Sequence, residues 1–327
     1  MAKNERLSDS YFRLLGEAEL SRDDLMGRAR AGIAARGFRE DYRELSEERR
    51  RQAELRGAFE LPLGARGTDL RFESGWSTRV YPAIADSASR DFDRVWGSVA
   101  VDTPFGPRGT LHTSLRSFAL DFEQTGFRDQ WGSGLDISYE QPVARHLSAR
   151  VGLELTGTRH GRDSIQWDGP PGERTLVVGP PRQRDSLRHL HLGLRWVHGV
   201  VARVQYGFRA QNSNSLGSSL HRHEVRWLVA ASAPQRFTLQ CYGNLETTDY
   251  TDRNLDEVYI FRGGEEVEAR DDNNQVVLGL SRPLRHGFRI EARHGWYENE
   301  SLLIGSYYRK SVWTVGLGWE QGHPSVF

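Results

Sequence analysis

The sequence predicts an all-β fold, an antiparallel up-and-down transmembrane β-barrel of about 14–16 strands. Three observations predict it. Apolar and polar residues alternate with period two over stretches of about 10–15 residues, longer than the roughly 5–6 residues of an average soluble strand. Short turns carrying Pro, Gly or charged residues alternate with long polar loops. No run approaches the roughly 18 consecutive apolar residues that a membrane helix needs.

Residues 1–10 read as a polar N-terminal segment, and 11–327 as the barrel. The first strands are the most ambiguous, because residues 11–57 have helix-compatible composition and Glu44 to Glu54 would make a plausible helix. Yet Phe12, Leu14, Gly16, Ala18 and Leu20 alternate, as do Leu25, Gly27, Ala29, Ala31 and Ile33, and Ala53, Leu55, Gly57, Phe59 and Leu61. Strands are the preferred reading. Next, Leu70, Phe72, Ser74, Trp76, Thr78 and Val80 oppose Asp69, Arg71, Glu73, Gly75 and Arg79. Leu111, Thr113 and Leu115 are out of phase with Phe118, Leu120 and Phe122, which predicts a β-bulge near Arg116. Four further segments alternate cleanly: Trp131 to Tyr139, Leu147 to Thr156, His189 to Trp196 and Ala202 to Ala210. Phe288 to Trp296 and Trp313 to Trp319 close the series.

Predicted turns are Ser21–Asp24, Leu63–Gly67, Thr103–Gly106, Gln141–Val143, Val197–Val200, Ala233–Pro234 and Arg282–Pro283. The longest predicted loops run from Arg159 to Asp185 and from Thr247 to Asn274. Tight turns at one end and long loops at the other place the turns on the periplasmic side.

Lys+Arg and Asp+Glu both number 44, so no global field favours nucleic acid, and none is expected as a partner. The mean hydropathy of −0.63 looks soluble, but a barrel strand shows lipid only its alternate residues. The single cysteine, Cys241, excludes an intrachain disulfide. A soluble sandwich or lipocalin-like barrel also alternates, with its apolar face turned inward. Here the polar face is rich in Arg and Glu, which suits a wet lumen. The start, Met1-Ala-Lys-Asn-Glu-Arg, has no apolar signal region. About fifteen strands joined by seven tight turns leave the first strand starting on the outer side. That parity implies one more strand before Tyr11, or one misread segment and 14 strands.

The expected pore lining is Arg28, Arg30, Arg56, Arg71, Glu73, Arg79, Asp136, Arg150, Glu154, His189, His191, Arg195, Arg203, Arg209, Glu224, Arg226, Arg289, Glu291 and Arg293. Such ladders polarise a pore, and they also pair across strands and stiffen its wall. The excess of Arg suggests a mild preference for anions. His189/His191 and His221/His223 each have the i, i+2 spacing that puts two imidazoles on one strand face. No acidic or Cys partner is fixed by spacing, so rim residues are the plainer reading and no metal is expected. No nucleophile–base–acid motif, phosphate loop or dinucleotide fingerprint is present, so neither catalysis nor a cofactor is expected. Trp76, Trp131, Trp196, Trp227, Trp296, Trp313 and Trp319 fall on the apolar face as interfacial anchors.

The terminal Phe327 resembles the C-terminal aromatic that bacterial outer-membrane barrels present to their insertion machinery, although Gln321, His323, Pro324 and Ser325 interrupt the apolar alternation before it. The pattern over nearly the whole chain is similar to that of porin-like barrels. The resemblance implies residence in the bacterial outer membrane, with lipid, the insertion machinery and a hydrophilic solute as partners. It implies a channel for hydrophilic solutes, or the barrel of a polysaccharide exporter. A surface barrel binding a partner through its long loops is the alternative, and an outer-membrane hydrolase comes third.

Overall fold

A computed structural model describes residues 11–25, 29–42, 50–64, 67–80, 91–122, 129–170, 173–251, 272–300 and 308–319. They form fifteen strands: β1 Tyr11–Leu25, β2 Ala29–Tyr42, β3 Arg50–Leu63, β4 Thr68–Val80, β5 Phe92–Phe105, β6 Gly109–Phe122, β7 Gln130–Ala144, β8 Leu147–Asp168, β9 Thr175–His198, β10 Val200–Ser213, β11 Leu220–Ala233, β12 Phe237–Tyr250, β13 Asp272–Pro283, β14 Phe288–Glu300 and β15 Tyr308–Trp319. Each pairs antiparallel with its sequence neighbours in one sheet ordered β1 to β15, the up-and-down order expected from the alternation. Among the described residues β1 and β15 are the edges of that sheet.

Burial is inverted relative to a water-soluble protein. The buried apolar residues are few and mostly alanine, as at Ala34, Ala58 and Ala100. Buried polar groups include Ser138, His160, Gln183, His189 and Glu224. Meanwhile Leu20, Ile33, Val95, Leu115, Leu194, Trp313 and Val315 are each more than half exposed. Directly opposed residues share a face, so register carries this assignment around the sheet. Phe59 faces Phe72, Phe72 faces Val99, Val99 faces Leu115, and Leu115 faces Leu135. Ile137 faces Leu153 and Leu153 faces Leu190. That continuous apolar row suits lipid, and the polar face between its residues suits a lumen.

The belt has a visible upper limit. On β8 it runs through Val151, Leu153 and Leu155, and on β9 through Leu194, Leu192 and Leu190. The next outward positions are Gly157 and Arg159 on β8, and Arg188, Ser186 and Arg184 on β9. Residues beyond these points stand above the membrane-spanning segments.

Several sequence expectations shift. The stretch 159–185 is no loop: β8 and β9 stay paired out to Asp168 and Thr175. Apolar alternation vanishes there because water bathes both faces, while the backbone ladder continues. The loop expected at 247–274 narrows, since β12 reaches Tyr250 and β13 begins at Asp272. Ser21–Asp24 lies inside β1, with a register shift between Arg22 and Leu25. Gln141 and Pro142 lie inside β7, whose irregularity falls between Pro142 and Ala144. The bulge expected near Arg116 is absent, since β6 keeps unbroken register with β5 and β7. Phe118 therefore points to the lumen side, over Gly132, where an added Cβ would come within 2.8 Å of its ring. The β9–β10 turn is tight as expected, with Gly199 at φ 67.

Candidate functional site: the charged lumen face

The expected lumen residues share one face wherever they are described; Arg28 lies outside the described residues. Alternation puts them there, and cross-strand register brings them together in networks at three heights.

Nearest the tight turns, Arg71 donates from Nε to Glu60 Oε1 at 2.8 Å and lies 3.7 Å from Asp102 Oδ2. Asp102 Oδ1 is 2.6 Å from His112 Nδ1, and His112 Nε2 is 3.9 Å from Asp136 Oδ1. At mid-height, Glu154 pairs with Arg116, and its Oε2 is 3.5 Å from His189 Nδ1. His189 Nε2 faces Glu224 Oε1, also at 3.5 Å. Glu224, only 1% exposed, takes Arg226 at 2.9 Å and Arg209 at 3.5 Å. Neighbouring glycines make room: His191 lies over Gly152, and Glu224 and His189 close on Gly207. An added Cβ at Gly152 would clash with the His191 ring.

Above the belt, His160 Nε2 is 3.0 Å from Asp185 Oδ2, and Gln183 and Gln211 both donate to the same carboxylate. Burial would raise the Asp185 pKa, but hydrogen bonds from His160, Ser213 and Gln183 outweigh it and hold the carboxyl below its ordinary value. His160 and Asp185 are 2% and 7% exposed and sealed from solvent, so the pair serves as a clip between strands. No cluster of three or more His, Cys, Asp or Glu with metal-holding geometry occurs among the described residues.

The remaining lumen residues are more open. Arg56 pairs with Glu54, and Arg293 with Glu291. Arg79 donates to Gln52 and stacks over the Phe92 ring at 4.9 Å. Arg30 and Glu73 stand on the same face at the β2 and β4 positions facing β3. Arg150 donates to Ser138, and Arg203 to Gln205. Neither of these, nor Arg195 or Arg289, meets a carboxylate among the described residues. Arg195 and Arg203 stand directly opposite each other, close to the β9–β10 turn.

Sequence reasoning missed Asp102, His112, Arg116 and the Arg222–Glu246 pair at 2.6 Å. The first two lie on β5 and β6. The inward aromatics Trp96 and Phe118 hid the phase of those strands, and the signal was the glycine under each ring, Gly75 and Gly132.

Of the expected anchors, Trp76, Trp131, Trp196, Trp296 and Trp313 are exposed on the apolar face. Trp227 is half-buried there, lying across Gly243. Trp227 and Trp313 stand at mid-strand rather than at strand ends. Trp319 closes β15 opposite Phe288. Phe327 lies outside the described residues.

No family model matches the chain, and no curated protein does. Among solved structures, CdiB from Acinetobacter baumannii aligns over 94% of this chain and 59% of its own, at 12% identity and TM-score 0.46. BamA from Haemophilus ducreyi lacking POTRA domains 1–3 aligns over 95% and 71%, at 9% identity and TM-score 0.41. OmpT, an outer membrane protein of Vibrio cholerae in its trimer form, aligns over 93% and 94%, at 10% identity and TM-score 0.39. Identities this low transfer no role. The strand order and the inverted burial described above make the fold that of a bacterial outer-membrane β-barrel.

Proposed function

We propose that the chain forms a passive outer-membrane channel for small hydrophilic solutes, with a mild preference for anions. The observation that carries this reading is the facing pair Arg195 and Arg203 near the periplasmic end, two lumen guanidiniums that meet no carboxylate among the described residues. Like charges set directly opposite destabilise a sheet, so a wall that keeps them gains something from a positive field. A ring of unneutralised charge in a pore raises the local concentration of counter-ions and lowers that of co-ions. Arg150 and Arg289, near the same end, extend the field. The paired networks elsewhere on this face neutralise part of the remaining charge and tie neighbouring strands together.

Planar-bilayer recordings under a salt gradient test this. The expected reversal potential shows anion preference, and Arg195→Gln with Arg203→Gln moves it toward zero while conductance persists. Cation preference in the unaltered protein, or no conductance at all, overturns the reading.

A further inference from the structure

Above the belt, the apolar face of β8 and β9 turns basic. Arg159 and Arg184 stand directly opposite each other, and Arg188 follows on the same face of β9. All three are exposed. Several lumen arginines take a carboxylate, among them Arg116 and Arg226, but none of these three does among the described residues. Asp163 stands opposite Arg182 and makes no bridge to it, Asp129 beside Arg159 accepts from Phe122 N–H and bridges neither arginine, and Asp185 lies on the opposite face with His160. The backbone fixes Arg184 firmly, since its N–H donates to Asn214 Oδ1 at 2.7 Å and its carbonyl accepts from Asn214 N at 3.2 Å. The backbone under this cross-strand pair is held, and neither guanidinium meets a carboxylate among the described residues.

The same face carries a groove of about 1030 Å³. Its floor follows register from Gly57 through Ser74, Gly97 and Ser117 to Ser133, and Gly157 on β8 continues the line. Phe72, Val99 and Leu115 wall its lower side. Four inter-strand steps from Gly57 to Ser133 make that floor about 19 Å long. The groove climbs as it goes: Gly57 is six residues from the tight-turn end of β3 at Leu63, and Ser133 is eleven from that of β7 at Ala144. It thus rises from mid-belt toward the rim; Gly157, directly opposite Ser133, lies just beyond its lining, and Arg159 is the next outward-facing residue above Gly157.

We propose that groove and arginines together bind a phosphate-bearing lipid of the outer leaflet, its phosphate on Arg159 and Arg184 and an acyl chain along the groove. Three observations select this occupant. The face is the one that lies in lipid, the basic pair stands where the belt ends, and the apolar channel descends from that pair toward the bilayer centre. Guanidinium pairs match phosphate oxygens in charge and geometry. The site is independent of what passes through the lumen.

The test reconstitutes the full chain into phosphatidylcholine nanodiscs with or without lipid A, extracts it into mild detergent, and measures retained lipid by native mass spectrometry. The unaltered protein retains lipid A. Arg159→Gln with Arg184→Gln removes two charged hydrogen-bonding contacts and lowers retention at least about tenfold, the loss that one such contact alone would cause. Ser117→Phe, which fills the groove and leaves the arginines in place, lowers it too. Heat-dependent gel mobility shows that both variants are folded, and removing like-charge repulsion should not unfold the first. Undiminished retention by the arginine variant overturns the site. So does displacement of the lipid by inorganic phosphate, which would make it a simple anion site, or arginine-dependent dimerisation without lipid, which would make it a contact between copies. Conductance is recorded in parallel, so failure of the lipid site is distinguishable from failure of the channel reading.

Discussion

At the scale of single residues, context decides what a lumen charge contributes. Glu224 is 1% exposed and holds two arginines, whereas Glu291 is 25% exposed and holds Arg293 alone. Glu224→Leu strands Arg209, Arg226 and the facing edge of His189 without a carboxylate. It is expected to destabilise the barrel by about 3 kcal/mol, the cost of breaking a buried pair from one side. Glu291→Leu is expected to change stability by less than about 1 kcal/mol. Reversible urea unfolding in detergent micelles compares the two, and equal losses would refute the distinction. Sequence alone showed that both glutamates face the lumen. It did not show that Glu224 is enclosed, because enclosure depends on His189, Arg209 and Arg226 arriving from three strands.

At the scale of elements, β8 and β9 differ from the other hairpins. Lipid on one side and water on the other impose alternation, so strands within the belt were legible from Leu70 to Val80 or from Leu147 to Leu155. Past Arg159 that constraint ends, and the ribbon instead depends on side chains such as His160, Gln183 and Asp185. Because the folded Asp185 pKa is lowered, its network stabilises the ribbon fully above the ordinary carboxylate range. That contribution is lost as pH falls through the lowered folded value. Amide hydrogen exchange over 161–184 is therefore expected to quicken in acid, below about pH 4, while the belt strands stay protected. Asp185→Asn should bring fast exchange to neutral pH. A ribbon equally protected in that variant would show that the network contributes nothing. Legibility also failed on β5 and β6, where Trp96 and Phe118 face inward. An aromatic on the polar face looks like a phase error until the glycine opposite it is noticed.

At the scale of the whole molecule, the inverted burial sorts tryptophans by environment. Trp313 is 72% exposed on the lipid side, whereas Trp96 lies over Gly75 on the lumen side. In bilayers with brominated acyl chains, a single-tryptophan variant keeping Trp313 is expected to be strongly quenched, and one keeping Trp96 to remain bright. The opposite order would turn the sheet inside out. The antiparallel order of the hairpins was readable from alternation and turns, but the pairing of lumen charges across strands was not, because it depends on register. Before any strand has paired, alternation also governs transit. With a charged or small residue at nearly every second position, no stretch of the newly made chain is greasy enough to be arrested in the first bilayer it meets. A sequence whose apolar residues were gathered into runs would be stopped there. The dispersal that hides the lipid-facing surface from a hydropathy average is thus what lets such a chain cross one membrane in order to assemble in another.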